Sequence, residues 1–158
     1  MNDEPVPAST GVGVIAVEVD DRQHDREVDT TCLSRLLVAG LQHGGVRWPA
    51  EVGLAFVDTT EMAELNRWHM DGHGPTDVLA FPIDGKRPVP AGQPAVIGDI
   101  GICPEVAERA PQPLADELAL LVVHGALHLV GHDHAAAGEA AVMKSHERAI
   151  LDRHWRRK

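Results

Sequence analysis

The sequence of 158 residues contains no tyrosine, 3% aromatic residues and two cysteines. Leucine, valine, isoleucine and alanine must therefore build most of the hydrophobic core. Cys32 and Cys103 are too few and too far apart to form a disulfide framework, which favours two reduced thiols in a cytoplasmic protein. No apolar run approaches the roughly 20 residues of a transmembrane helix, and the acidic N-terminus lacks the pattern of a secretory signal. We expect a cytoplasmic protein without a membrane partner.

Positive charge is also scarce, because 24 acidic residues outnumber 14 lysines and arginines and give a formal net charge of -10. Proteins that bind nucleic acids non-specifically need a basic face that neutralises phosphates. The composition therefore argues against broad nucleic-acid binding, although a small basic site on an acidic protein stays open. The hydrophobic fraction of 44% indicates a folded chain, and its length fits one domain.

The hydrophobic periodicity and the breaker residues predict a single α/β or α+β domain with four strands and about five helices. Strands are expected at residues 13–19, 51–57, 77–81 and 95–102. Helices are expected at about residues 30–42, 59–68, 104–110, 113–130 and 136–155. We predict a flexible N-terminal segment at 1–11, the hydrolase domain at 12–155 and a basic tail at 156–158.

Residues 124–134 read HGALHLVGHDH and contain the pattern H-x3-H-x5-H. His124 and His128 are one helical turn apart, so their rings project from one face and can share a metal ion. Gly131 is expected to end the helix in a left-handed conformation, which lets His134 return towards the other two. Three histidines leave the fourth tetrahedral position of zinc for water, as in catalytic sites. The pattern predicts a hydrolase with one Zn²⁺ ion at the end of a central helix.

The same spacing of histidines and glycine occurs in metzincin proteases. Those enzymes carry glutamate directly after the first histidine as the general base, and here that position is Gly125. Glycine has no side chain that accepts a proton, so a metzincin-like metalloprotease is the less favoured alternative. His132 lies between the predicted ligands, but its spacing directs it elsewhere.

The general base is not identified by the sequence, and three aspartates are candidate catalytic residues. Asp133 could accept a hydrogen bond from a ligand imidazole or only stabilise the turn. Asp77 and Asp99 could orient a ligand or a water molecule, or only form turn and edge hydrogen bonds. For two further sets of residues, a structural role is more common than a functional one. They are tryptophans that could stack on a base, and histidines without ligand spacing that are expected on the surface. They are Trp48, Trp68, Trp155, His43, His69, His73, His146 and His154.

Residues 124–134 match the pattern H-G-x-L-H-L-x-G-x-D-H of the YbeY endoribonucleases, a family of rRNA maturation factors. Supporting blocks occur in the same order: Leu65-Asn66, residues 75–82 (PTDVLAFP), residues 98–100 (GDI), Met143 and Glu147. The chain resembles this family over roughly residues 12–152. The resemblance implies a four-stranded mixed sheet with helices, and zinc ligands at His124, His128 and His134.

The resemblance also implies a function, that of a single-strand-specific metallo-endoribonuclease. Such an enzyme would act in maturation of the 3' end of small-subunit rRNA and in ribosome quality control. The implied partners are single-stranded rRNA and the small ribosomal subunit or its proteins. The alternative is a ribosome-associated zinc-binding factor with weak catalysis.

Two positions depart from the family pattern. Many members carry an arginine, thought to hold the RNA phosphate, where this chain has Met70, and a serine where it has Ala80. Methionine cannot donate a hydrogen bond to a phosphate oxygen. Four cationic residues could supply that contact instead: Arg67, Arg109, Lys86 and Arg87.

Overall fold

The computed structural model describes residues 14–132, except residues 88 and 91, and residues 137–155. The strands of this part of the chain are β1 (Ile15–Asp21), β2 (Ala50–Phe56), β3 (Val78–Pro82) and β4 (Ala95–Ile102). Its helices are α1 (Thr30–His43), α2 (Thr59–Met70), α3 (Pro104–Ala107), α4 (Leu114–Leu129) and α5 (Ala137–His154). Within this part, none of the helices has the length and apolar character needed to cross a bilayer.

The predicted α+β fold with four strands and five helices is confirmed. The predicted flexible segment 1–11 and basic tail 156–158 lie outside the described residues. Element boundaries differ from the prediction by a few residues. For example, α2 continues two residues past Trp68, until Asp71 adopts a left-handed conformation (φ 54°) and ends the helix.

The four strands form one mixed sheet in the order β1-β2-β4-β3. β1 pairs with β2 and β2 with β4 in parallel, whereas β3 pairs with β4 antiparallel. Parallel neighbours require a crossover connection, and α1 provides it between β1 and β2. The connection between β2 and β4 contains α2 and the edge strand β3.

One face of the sheet carries the main hydrophobic core. Alternate residues of β2, namely Val52, Leu54 and Phe56, are buried on the side of α1 and α4. α4 has ten buried residues, so it is covered on most sides and lies at the centre of this layer. The predicted central helix is therefore present, and its last two turns hold the first two predicted ligands.

The other face of the sheet is covered only in part. A smaller cluster of Val57, Met62, Leu79 and Cys103 lies between α2 and the sheet. α2 buries only Met62, so most of this helix faces outward. This partial cover leaves clefts on both sides of α2 and at its C-terminal end.

Candidate active site

The last two turns of α4 place two histidine rings side by side. The ring centroids of His124 and His128 are 4.7 Å apart, and the ring planes are inclined by 70°. Both side chains are half-buried. The four-residue spacing therefore brings the rings together on one helix face, as the sequence predicts.

The turn after α4 has the predicted form. Gly131 has φ 103°, its N–H donates to the carbonyl of His128 (3.0 Å), and the N–H of His132 donates to the carbonyl of Leu127 (3.0 Å). This pair of bonds is a Schellman motif, which reverses the chain at the end of the helix. The predicted ligand His134 and the candidate base Asp133 lie outside the described residues.

Glu147 on α5 holds the ring of His124 in place. The Nδ1–H of His124 donates to Oε2 of Glu147 over 2.6 Å, and Glu147 is only 9% exposed. Carboxylates commonly fix the tautomer and orientation of metal-binding imidazoles in this way. Nε2 is then the ring nitrogen of His124 that would bind a metal.

Glu147 belongs to the family pattern, but its position in the sequence predicts no role for it. A usable signal was present, because Glu147 lies four residues from both Met143 and Leu151, which are buried. A carboxylate within a helical stripe of buried apolar residues requires a polar partner. The pattern does not say which residue is that partner.

A cleft of about 320 Å³ opens beside the histidine pair. We call it the histidine cleft; its lining residues are Met70, Thr76, Asp77, Val78, Leu79, Ala80, His124, Gly125 and His128. The hydroxyl of Thr76 lies 3.4 Å from Oδ1 of Asp77, and the Asp77 carbonyl accepts from the N–H of Cys103 (2.9 Å). Asp77 is thus the candidate base that the described chain places next to the histidines.

Asp99, in contrast, does not line the histidine cleft. Its neighbour Ile100 faces α4, so the period of two along β4 directs Asp99 to the opposite face of the sheet. There its carboxylate lies over Gly53, in a separate cleft lined also by Arg22 and His69. Asp99 is a candidate catalytic residue by sequence, but the structure places it on the face of the sheet opposite to the histidines.

Gly125 allows α4 to pack closely against β4. A Cβ atom on Gly125 would lie 2.9 Å from Cδ1 and 3.0 Å from Cγ2 of Ile100, whose side chain is buried. The glycine therefore has a packing role at this position. It also leaves no side chain where metzincin proteases carry their glutamate base.

We expect Gly125→Ala to lower the free energy of unfolding by about 1–2 kcal/mol, because overpacking costs roughly 1–3 kcal/mol and alanine regains up to about 1 kcal/mol of helix propensity. Chemical denaturation measures the change. Ile100→Val removes the nearest atom and should restore part of the loss in the double variant. Gly138→Ala is the control, since a Cβ there meets no atom within 4 Å. Equal stability of Gly125→Ala and the parent would contradict the packing role.

The cleft positions that differ from the family pattern contribute apolar surface. Met70 and Ala80 both line the histidine cleft, so neither supplies a hydrogen-bond donor there. Arg67 and Arg109 line a neighbouring cleft of about 680 Å³. Arg87 instead donates to the backbone carbonyls of Ile83 and Asp84.

A group of histidines lies where the end of α1 and the turn after α4 meet the middle of α5. Nε2 of His43 is 2.9 Å from Nδ1 of His146, and the ring centroids of His132 and His146 are 4.9 Å apart. His43 is exposed, as expected, whereas His146 is half-buried, and the two rings contact each other. Among the described residues, no group of three or more His, Cys, Asp or Glu is arranged to hold a metal ion.

Burial, together with repulsion from His146, His132 and His154, lowers the pKa of His43 from its ordinary value. The folded protein then binds fewer protons at this site than the unfolded chain, so stability is lost as the pH falls through the ordinary histidine range. We expect the free energy of unfolding of zinc-free protein to fall between pH 7.5 and 5.5, and to fall less in His43→Asn. Urea denaturation at both values measures this, with His24→Asn in an exposed loop as the control. Identical pH dependence in His43→Asn and the parent would contradict the assignment.

The family described as "Endoribonuclease YbeY" matches residues 16–154. A relative named Endoribonuclease YbeY from Salinispora tropica is 42% identical over 137 residues, which cover 79% of this chain and 87% of that protein. A relative with the same name from Rhodococcus opacus is 42% identical over 135 residues, which cover 80% of this chain and 73% of that protein.

A solved structure shows a similar fold. The solution structure of a Thermotoga maritima protein is 23% identical to this chain, with a TM-score of 0.54. The match covers 89% of this chain and 91% of that protein. The structural likeness shows the fold alone, whereas the family match and the two relatives at 42% identity show family membership. The chain belongs to the endoribonuclease YbeY family.

Proposed function

We propose that this protein is a zinc-dependent endoribonuclease that cleaves single-stranded rRNA. The relatives at 42% identity are named endoribonucleases. The observation that carries the proposal is the pairing of His124 and His128 in a cleft, with the buried Glu147 bonded to one ring. This arrangement is typical of metal centres in hydrolases.

The side chains at the end of α4 fit a zinc ion. Neutral imidazole nitrogens suit zinc, and His134 is proposed as the third ligand after the turn at Gly131. When bound, zinc acts as a Lewis acid and lets water serve as a nucleophile near neutral pH. We infer one ion per chain.

Each of the residues around the ion would then have a separate role. His124 and His128 would bind the zinc ion, and Glu147 would keep the ring of His124 in one orientation. Asp77 lies in the same cleft, where its carboxylate can accept a proton from the attacking water or orient it. Thr76, beside Asp77, can hydrogen-bond the carboxylate or the substrate.

We further propose that the substrate is the 3' end of the small-subunit rRNA, and that the protein acts in its maturation and in ribosome quality control in the cytoplasm. The partner would be the small ribosomal subunit or its proteins. One observation favours a second function. Met70 and Ala80 give the cleft apolar walls, which suits a ribosome-associated zinc-binding factor with weak catalysis.

The test uses a labelled, single-stranded fragment of small-subunit rRNA and full-length protein. Cleavage is followed with one equivalent of zinc, after removal of zinc by a chelator, and after zinc is added back. The endoribonuclease proposal predicts cutting that is lost with zinc and restored with it. Protein that holds one zinc ion but leaves the RNA intact would favour the ribosome-associated factor.

A further inference from the structure

The last turn of α2 contributes to three clefts. Arg67 lines the cleft that also contains Arg109, His69 lines the cleft of Asp99, and Met70 lines the histidine cleft. Trp68 lies between these residues and is 74% exposed. An exposed aromatic side chain therefore lies two residues from the wall of the proposed active site.

The exposure of Trp68 distinguishes it from the other tryptophans. Trp48 packs against the main core, and the Nε1–H of Trp155 donates to Oδ1 of Asp116 (2.8 Å). Met70, also in the last turn of α2, is a second exposed apolar side chain (57% exposed). Trp68 is therefore the tryptophan whose ring is accessible for stacking on a ligand.

The residues around Trp68 supply positive charge. The guanidinium carbon of Arg67 lies 5.4 Å from the ring centroid of Trp68, within the range of a cation–π contact. Within the described residues, no carboxylate lies within the 4.0 Å of an ion pair from Arg67 or Arg109. Both guanidinium groups are exposed, although Glu64 and Glu105 line the same cleft.

We propose that Arg67, Trp68 and Arg109 form a single-strand-binding element that positions RNA at the histidine cleft. Trp68 stacks on one base, and the two arginines contact phosphates. Aromatic faces combined with cationic side chains bind single strands in this way, with little dependence on sequence. The inference rests on the proposed function, since it takes single-stranded RNA as the substrate. It also supplies phosphate contacts that Met70 cannot make.

The first experiment separates binding from cleavage. Steady-state kinetics of the zinc-loaded, full-length protein are measured on single-stranded RNA for Trp68→Ala and Trp68→Phe. Loss of one stacked base raises KM by about 5- to 150-fold, with kcat unchanged, and phenylalanine retains most of the affinity. Both substitutions are at an exposed position, so the fold should be unaffected.

The arginines are tested through the salt dependence of kcat/KM. Each phosphate contact to a single strand contributes about 0.7 to the slope of log affinity against log salt concentration. Arg67→Ala and Arg109→Ala should each reduce the slope by about that amount. Arg35→Ala is the control, because Arg35 is an exposed arginine on α1, on the other side of the sheet.

Tryptophan fluorescence reports the stacking directly. Stopped-flow mixing with RNA should quench the emission of the parent before cleavage, and Trp68→Phe should lack this quench. RNA in which the bases are replaced by abasic sites should compete for the arginines without quenching. The single-strand-binding element is supported if RNA with bases quenches the parent but abasic RNA does not, and if Trp68→Phe shows no quench. This result supports the element even if the RNA is not cut.

Two results overturn the proposal. If the parent cuts RNA while Trp68→Ala keeps its KM and RNA leaves the fluorescence unchanged, the binding element is wrong and the endoribonuclease proposal stands. If the parent neither binds nor cuts single-stranded RNA, both are wrong. An exposed Trp68 that instead contacts a protein partner would give the first of these results.

Discussion

His128→Ala is expected to lose stoichiometric zinc and to cut single-stranded RNA at least about 100-fold more slowly, because a catalytic metal contributes several kcal/mol and each 1.4 kcal/mol is about tenfold in rate. His128 projects beside His124 from the last turn of α4, with 4.7 Å between the ring centroids. Removing one ring leaves the other without its neighbour, so a single ion is held too weakly to remain bound. Metal analysis after gel filtration and a cleavage time course measure the two losses.

The control for this variant is His24→Ala, which removes an exposed histidine from the loop after β1. It should keep both the zinc and the activity. Since the ring of His128 is only half-buried, its removal should leave the far-ultraviolet circular dichroism spectrum unchanged. A folded His128→Ala protein that binds one equivalent of zinc as tightly as the parent would contradict the assignment. If the protein is instead a ribosome-associated factor, His128→Ala should still bind the ribosomal partner.

Glu147→Ala is expected to weaken zinc binding by about 10- to 100-fold, the usual effect of removing a carboxylate that orients a metal-binding histidine. The 2.6 Å bond between Oε2 of Glu147 and Nδ1 of His124 fixes the ring at which the metal would bind. Glu147 is buried, so bulk water cannot easily replace it as the hydrogen-bond acceptor for Nδ1–H of His124 in Glu147→Ala. Zinc affinity is measured by competition with a chelator of known affinity.

Glu147→Gln separates positioning from a general loss of structure. Its amide oxygen can still accept from Nδ1–H, so this variant should bind zinc more tightly than Glu147→Ala. Glu139→Ala, an exposed position on the same helix, is the matched control. The KM for RNA should be similar in all three, because Glu147 contacts the histidine and not the substrate. Equal zinc affinity in the parent and Glu147→Ala would exclude the positioning role.

Local features made most of the fold predictable from the sequence. Asp29 and Asp58 accept hydrogen bonds from the N–H groups of Cys32 (3.1 Å) and Glu61 (2.8 Å), so both predicted helix starts rest on a side chain that caps them. Gly131 ends α4 because a left-handed residue is needed there, and glycine adopts that conformation without strain. These signals lie within a few residues of the feature that they determine.

The parts of the site that the sequence did not predict depend on contacts between distant residues. Glu147 and His124 are 23 residues apart and meet only because α5 packs on α4. Asp77 and Asp99 have similar surroundings in the sequence, but Asp77 lies just before β3 and lines the histidine cleft, whereas Asp99 lies within β4 and lines a cleft on the opposite face of the sheet. The exposure of Trp68 likewise follows from how little of α2 the sheet covers. The periodicity of a sequence predicts which face of a helix or strand is buried, but not which distant residues that face contacts.

We infer that this chain cuts RNA internally with a zinc ion at the end of α4. A circular, single-stranded RNA tests it most directly, because a circle has no ends for an exonuclease. The full-length protein with one equivalent of zinc should convert the circle into a linear product, and a chelator should stop the conversion. Shortening of linear RNA while the circle stays intact would contradict internal cleavage, and equal cutting of the circle without zinc would contradict the role of the metal.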